Sequence, residues 1–256
     1  MFKLTQSKYI PLSKVEIKSY IDDKFSTRHI HLDSESNEKC FVVAFKTLPS
    51  DSTGVAHILE HTVLCGSKKY PVRDPFFMMT RRSLSTFMNA FTASDFTAYP
   101  FSTLNDKDFS NLLSVYLDAT FFPNLNELDF MQEGHRFDFI KNNKSQDQIV
   151  LKGIVYNEMK GAMSSISSQA DQGLNENLFP NHTYGYNSGG DPQDIPKLSY
   201  QNLLDFHKKH YHPSNAIFFT YGKIDIPSLQ NQIEQNVLKH FSPNAEKIEV
   251  KESKYF

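Results

Sequence analysis

Residues 54–66 read GVAHILEHTVLCG. The apolar side chains recur at helical spacing from 55 to about 64, and Gly66 supplies a C-terminal stop, so the stretch reads as a short helix. On such a helix His57 and His61 stand one turn apart on one face, and their rings converge. Glu60 follows His57 by three positions and falls on the same face. Two neutral imidazoles so placed are a natural pair of zinc ligands, with a carboxylate beside them able to reach water at a metal. The order His-x-x-Glu-His reverses the commoner zinc-protease order.

Working outward, residues 27–32 alternate crudely and residues 40–45 (CFVVAF) are continuously apolar, so two strands joined as a hairpin are expected. Residues 83–91 and 96–101 are aromatic and β-prone with a turn at 93–95, a second hairpin. Apolar positions at helical spacing predict helices over 106–121, 127–137, 149–163 and 200–210, and a strand over 216–220. Residues 142–146 read as a polar loop. Strands, helices and hairpins in this order indicate an α+β fold, a mainly antiparallel sheet packed against helices, rather than a doubly wound parallel sheet.

Composition narrows the function classes without choosing one. The 256 residues carry 27 basic and 29 acidic side chains, a net charge of -2, which does not suit a phosphate-tracking nucleic-acid binder. The two cysteines, Cys40 and Cys65, are too few for a disulfide framework and point to a reducing compartment. No run of 18 apolar residues spans a membrane, and the start MFKLTQSKYIPLSK has no signal-peptide core. No nucleic acid and no membrane is therefore expected as a partner.

A catalytic zinc takes three protein ligands and keeps one position open, so a third must come from elsewhere in the chain. In a helix over 149–163, Leu151, Ile154 and Val155 form an apolar stripe that Glu158 continues. A carboxylate on a core-facing stripe is costly unless it meets a cation. The plainer reading is a surface charge paired with Lys152 or Lys160. Glu127 and Glu133 are the acids to turn to if Glu158 is not the ligand.

The segments STGVAHILEHTVLCGSKKYPVRDPFF, SLSTFMNAFTASDFTAYPFST, NLLSVYLDATFFPNL, ELDFMQEGHRFDF, GIVYNEMKGAMS and HYHPSNAIFFTYG resemble the pitrilysin/insulinase family of inverted zinc metallopeptidases, above all its presequence-protease and falcilysin branch. The resemblance runs from about residue 27 to about 225. It implies one zinc ion per chain held by His57, His61 and Glu158, with Glu60 as general base in an endopeptidase acting on unfolded peptides. It also implies that the strand around 85–91 is an edge to which a peptide adds as a further strand, with Asn89, Ala90 and Phe91 in contact; without the family, Asn89 would be read as capping an ordinary hairpin turn. One position departs from the family pattern: seven residues before the third ligand, where relatives such as pitrilysin carry a supporting acid, this chain has Leu151.

Three domains of use follow: an N-terminal extension at 1–26, the N-terminal catalytic domain of the metallopeptidase at 27–245, and the start of a linker or tail at 246–256. The partners implied are peptide substrates and a C-terminal half, or a second chain, that closes a chamber over the zinc. The competing reading is a non-catalytic or incomplete subunit of the same fold that needs such a second half. The location expected is the cytoplasm for a bacterial protein and the mitochondrial matrix or another organelle for a eukaryotic one. His207, His210 and His212 suggest a second metal cluster only weakly, and Cys65, one turn beyond His61, reads as a buried free thiol.

Overall fold

The computed structural model describes residues 1–140, 148–243 and 247–250. Its frame is a sheet in which β4 (Lys39–Lys46), β7 (Phe96–Thr103) and β10 (Ala216–Tyr221) lie side by side at the centre. β3 (Arg28–Asp33), β2 (Val15–Asp22) and β1 (Phe2–Ile10) extend it on one side, and β5 (Ser85–Met88) forms the edge on the other. β6 (Phe91–Thr92) pairs with the same strand as β5, so the hairpin expected over 83–101 is present with a break at Asn89 and Ala90. The turn closes through Ala93 N–H donating to Phe96 O at 2.8 Å.

Alternation decides which face of the sheet is inside. Phe41, Val43 and Phe45 register with Phe101, Tyr99 and Thr97 on one side and with Thr220, Phe218 and Ala216 on the other, and all of these are buried. Because successive side chains point to opposite faces, this one face carries the core. Helices close over it: α1 (Val55–Val63) with Ile58 and Leu59, α3 (Asp106–Phe121) with Leu112, Tyr116 and Leu117, α7 (Tyr200–His210) with Leu203, and α8 (Ile226–Asn236) with Ile233. Phe45 stacks on Tyr211 with ring centroids 4.4 Å apart, and Phe41 meets Phe101 at 5.4 Å. A fully buried phenylalanine of this kind contributes roughly 1.5–3 kcal/mol by removal from water. The α3 helix starts where Asn105 Oδ1 accepts from Asp108 N–H at 2.9 Å, and Pro123 follows its end.

The fold is α+β, as expected, with three corrections to its local reading. Strands β3 and β4 do not form a hairpin: β10 lies between them, parallel to β3 and antiparallel to β4. The apolar strand at 216–221 needs partners on both edges, and residues 34–38 are long enough to bridge the gap it occupies. The helix expected over 149–163 is instead strand β9 (Gln148–Lys152), paired with β8 (Arg136–Ile140), followed by α5 (Ile154–Ala162). Correspondingly, the helix expected over 127–137 stops as α4 (Glu127–Glu133), because the chain turns at Gly134 into β8. Residues 2–22 supply β1 and β2, where no element was expected, and α2 (Pro75–Arg82), α6 (Ile166–Leu178) and α8 were likewise not anticipated. Residues 142–146, expected as a polar loop, lie outside the described residues, as does much of 246–256. None of the helices among the described residues is long and apolar enough to cross a membrane.

Candidate metal centre

Helix α1 opens at a glycine required twice over. Gly54 has φ of 70°, and a Cβ there would meet Gly190 Cα at 2.7 Å and Gly189 O at 2.8 Å. The 187–190 loop is therefore pressed onto the start of α1. A Cβ on Gly189 would in turn meet Met159 Cε of α5 at 2.9 Å, so the same loop lies between the helix of His57 and the helix of Glu158. Through this contact Gly189 O lies 3.0 Å from His57 Nδ1.

A second contact holds the other histidine. A Cβ on Gly153, just before α5, would fall 1.9 Å from Gly134 O, just after α4, so the two helices touch backbone to backbone. This fixes Glu133, the last residue of α4, with its Oε2 3.1 Å from His61 Nδ1. A carbonyl and an ionised carboxylate only accept hydrogen bonds, so both histidines carry their proton on Nδ1 and donate it. In the neutral rings both Nε2 atoms are then left bare. They lie 3.7 Å (His57) and 3.9 Å (His61) from Glu158 Oε2. Among the described residues, His57, His61 and Glu158 form the group in which each can offer a ligand atom within 4.8 Å of the others.

The donor set fits zinc: two neutral imidazole nitrogens in the required tautomer and one carboxylate oxygen. Glu158 Oε2 stands near the roughly 3.3 Å that separates donors on one tetrahedral ion with bonds of about 2.0 Å. Glu158 is 54% exposed, whereas His57 is 12% and His61 25% exposed, so the site is open on the α5 side. This corrects the reason for which Glu158 was expected. Leu151 is on β9, and α5 buries only Val155 among its residues, so no core-facing stripe carries Glu158. Lys152 pairs with Asp138 at 3.1 Å. Leu151, where the family pattern has a supporting acid, faces Phe137 across the hairpin, and the carboxylate behind His61 is Glu133. Glu127 begins α4, a helix whose far end, Glu133, is the one that meets His61.

Glu60 is buried beside the pair, and Thr92 Oγ1 on β6 donates to its Oε2 at 2.7 Å. Burial raises its carboxyl above the ordinary value, with Thr92 and the two imidazoles pulling the other way. For His61 burial lowers the imidazole, but the hydrogen bond to Glu133 and the charges of Glu60, Glu133 and Glu158 outweigh it, and the net shift is upward. The strand expected to receive a peptide lies where the sequence places it. β5 is the sheet edge, Asn89 N–H donates to Pro100 O at 3.1 Å, and Asn89 Oδ1 accepts from Ala90 N–H at 2.9 Å. Phe91 is exposed and adjoins Thr92, so this edge touches Glu60 through one hydroxyl.

The weaker candidates resolve structurally. His207 Nε2 donates to Thr120 O at 3.0 Å, His210 Nδ1 to Phe206 O at 2.9 Å, and His212 Nδ1 lies 2.7 Å from Ser214 Oγ. Burial raises the Cys65 thiol far above its ordinary value, as befits an inert core thiol. Sequence reasoning did not find Gly189, Thr92 or the contact of Glu133 with His61. The residues that meet are 132, 32 and 72 positions apart, and no local pattern announces such pairs.

Comparison with known proteins places the chain by its sequence and by its fold. The family model described as Insulinase (Peptidase family M16) matches residues 48–167, and that described as Peptidase M16 inactive domain matches residues 197–255. The chain is 56% identical over 219 residues to the mitochondrial presequence protease of Mus musculus, covering 86% of this chain and 21% of that protein. It is 46% identical over 252 residues to that of Candida albicans, covering 98% of this chain and 24% of that protein. It thus spans about a fifth to a quarter of the length of the curated relatives it matches. The crystal structure of pitrilysin superposes with a TM-score of 0.71 at 19% identity, over 97% of this chain and 26% of that one, a likeness of fold. The chain belongs to the insulinase family of peptidases, family M16, on its presequence-protease branch.

Proposed function

We propose that this chain is the zinc-binding catalytic portion of an endopeptidase that hydrolyses unfolded peptides. The observation that carries the reading is the pair of bare Nε2 atoms facing Glu158, with the buried Glu60 beside them. His57, His61 and Glu158 would hold one zinc ion, which when bound supplies the positive charge that polarises a scissile carbonyl and acidifies water. Glu60, held at Oε2 by Thr92, accepts the proton from water and passes it to the leaving amine, a transfer that a carboxyl raised by burial is suited to make. The edge at β5 and β6 takes the substrate backbone as an added strand, with Asn89, Ala90 and Phe91 alongside. That mode demands extended peptides and little side-chain identity.

The half-exposed Glu158 leaves one flank of the site open to water. A further segment, a C-terminal half or a second chain, would close that flank, and the isolated chain would then cleave slowly while still binding zinc. The relatives' names place them in mitochondria, and a mitochondrial location is the one proposed here. The test is cleavage of an internally quenched peptide. Turnover that stops on chelation, returns with zinc and is lost in Glu60→Gln supports the reading; cleavage indifferent to chelator contradicts it.

A further inference from the structure

Glu133 is a buried acid that stands behind one of the two histidines and not the other. Its side chain is 8% exposed, at the end of α4, which packs on α1. Its Oε2 meets His61 Nδ1 at 3.1 Å, and its Oε1 accepts from Gln132 Nε2 at 3.1 Å. A glutamine of the same shape would accept the histidine proton and hold the same tautomer. A carboxylate in that position carries a desolvation penalty the amide would avoid.

What repays a negative charge behind an imidazole is a cation in front of it. An anionic acceptor at Nδ1 makes Nε2 more electron-rich, and so a stronger donor to a metal. The two histidines differ here: His57 has a neutral carbonyl behind it, Gly189 O at 3.0 Å, and His61 has the carboxylate. The carboxylate cannot itself be the third ligand in this arrangement, because it faces the nitrogen on the other side of the ring from the bare Nε2.

We infer that Glu133 is a positioning residue that sets zinc affinity through His61, making His61 the stronger of the two imidazole ligands. This deepens the zinc reading above and rests on it. The backbone contact between Gly134 and Gly153 gives the arrangement a further consequence: the helices that bear Glu133 and Glu158 are registered against each other, so both acids are placed by one joint.

The test is zinc affinity of this chain by chelator competition, for wild type, Glu133→Gln and Glu133→Leu, each also in a His61→Ala background. Outer partners of metal ligands are generally worth 10–100-fold in affinity. We expect Glu133→Gln to weaken zinc about tenfold and Glu133→Leu by up to about 100-fold, with metal-free Glu133→Gln melting no lower than wild type. In the His61→Ala background the same substitutions should change the residual affinity less than about twofold, since the path through His61 is gone. Affinity losses of equal size in both backgrounds, or none in either, overturn the inference while leaving the zinc site intact. A wild-type chain that binds no zinc overturns both readings.

Discussion

Two pairs of histidines in this molecule look alike in sequence and sit among opposite kinds of partners. His57 and His61 are four apart on α1, and His29 and His31 are two apart on β3, so each pair shares a face of its element. Ring centroids are 5.0 Å apart in the first and 6.4 Å in the second. The second pair is saturated. Gln230 Nε2 donates to His29 Nδ1 at 3.1 Å, His29 Nε2 then donates to Thr220 Oγ1 at 2.8 Å, and Thr220 donates to His31 Nδ1 at 2.9 Å. His31 keeps its proton on Nε2, 3.8 Å from Asp33. In the α1 pair the partners are acceptors, the protons are drawn to Nδ1, and two bare nitrogens face a carboxylate. What suits a histidine pair to hold a metal, as proposed for the α1 pair, is therefore the chemistry of the partners behind the rings more than the spacing of the rings.

The largest effect that would break this contrast is on zinc itself. His57→Ala, His61→Ala or Glu158→Gln should each weaken zinc by more than about 100-fold in chelator competition, beyond what outer partners contribute. His29→Gln and His31→Gln should leave zinc affinity unchanged. Loss of zinc in either β3 variant, with the fold retained by circular dichroism, would dissolve the distinction.

Next in size is Glu60→Gln, which separates binding from chemistry. Zinc content should stay at the wild-type level while turnover on a quenched peptide falls roughly 10²–10⁴-fold, the usual worth of a positioned general base. Near-native turnover would remove Glu60 from that role.

The β3 pair makes its own prediction in acid. Burial, with the neighbouring His31, pushes His29 down to about 3; burial also lowers His31, and it lowers His207 to about 4. The unfolded chain takes up these protons near pH 6.5 and the folded chain does not, so this stability is present above 6.5 and is lost as pH falls toward 4 and 3. His29 and His207 each steepen the loss by up to about 1.4 kcal/mol per pH unit below the unfolded value. Urea midpoints of the metal-free chain at pH 7, 6 and 5 should fall accordingly, and His29→Gln should flatten the slope. A slope unchanged in that variant would mean that His29 does not stay neutral in the fold.

The readable part of the site is the local part. The periodicity of 55–64 gives α1 and therefore the shared face of His57, Glu60 and His61. Glu158 reaches them for a reason other than the one the sequence offered: the apolar run at 149–151 belongs to a hairpin, and a hairpin strand and a buried helix turn are alike in composition over so few residues. The place of β10 between β3 and β4 depends on pairing across some 190 residues, which no window along the chain records. Thr92, Gly189 and the contact of Glu133 with His61 escape for the same cause. Each involves an ordinary residue made significant by a long-range contact.

The smallest effect sharpens how far the edge strand and the base are joined. Thr92→Val removes the hydroxyl that holds Glu60 Oε2, and a hydrogen bond to a charged group contributes about 1.5–3 kcal/mol. Turnover should fall roughly 10- to 150-fold if the whole bond counts in the transition state, and toward the lower figure otherwise, with zinc content and peptide KM little changed. A rise in KM with kcat retained would place Thr92 in substrate binding instead.

The most direct measurement of the central claim is anomalous diffraction at the zinc absorption edge from crystals of the chain grown with zinc. The account predicts one strong peak bounded by His57 Nε2, His61 Nε2 and Glu158, and none beside Thr220. A peak between His29 and His31, a peak ligated by Glu133 in place of Glu158, or no peak within reach of His57 and His61 would contradict it.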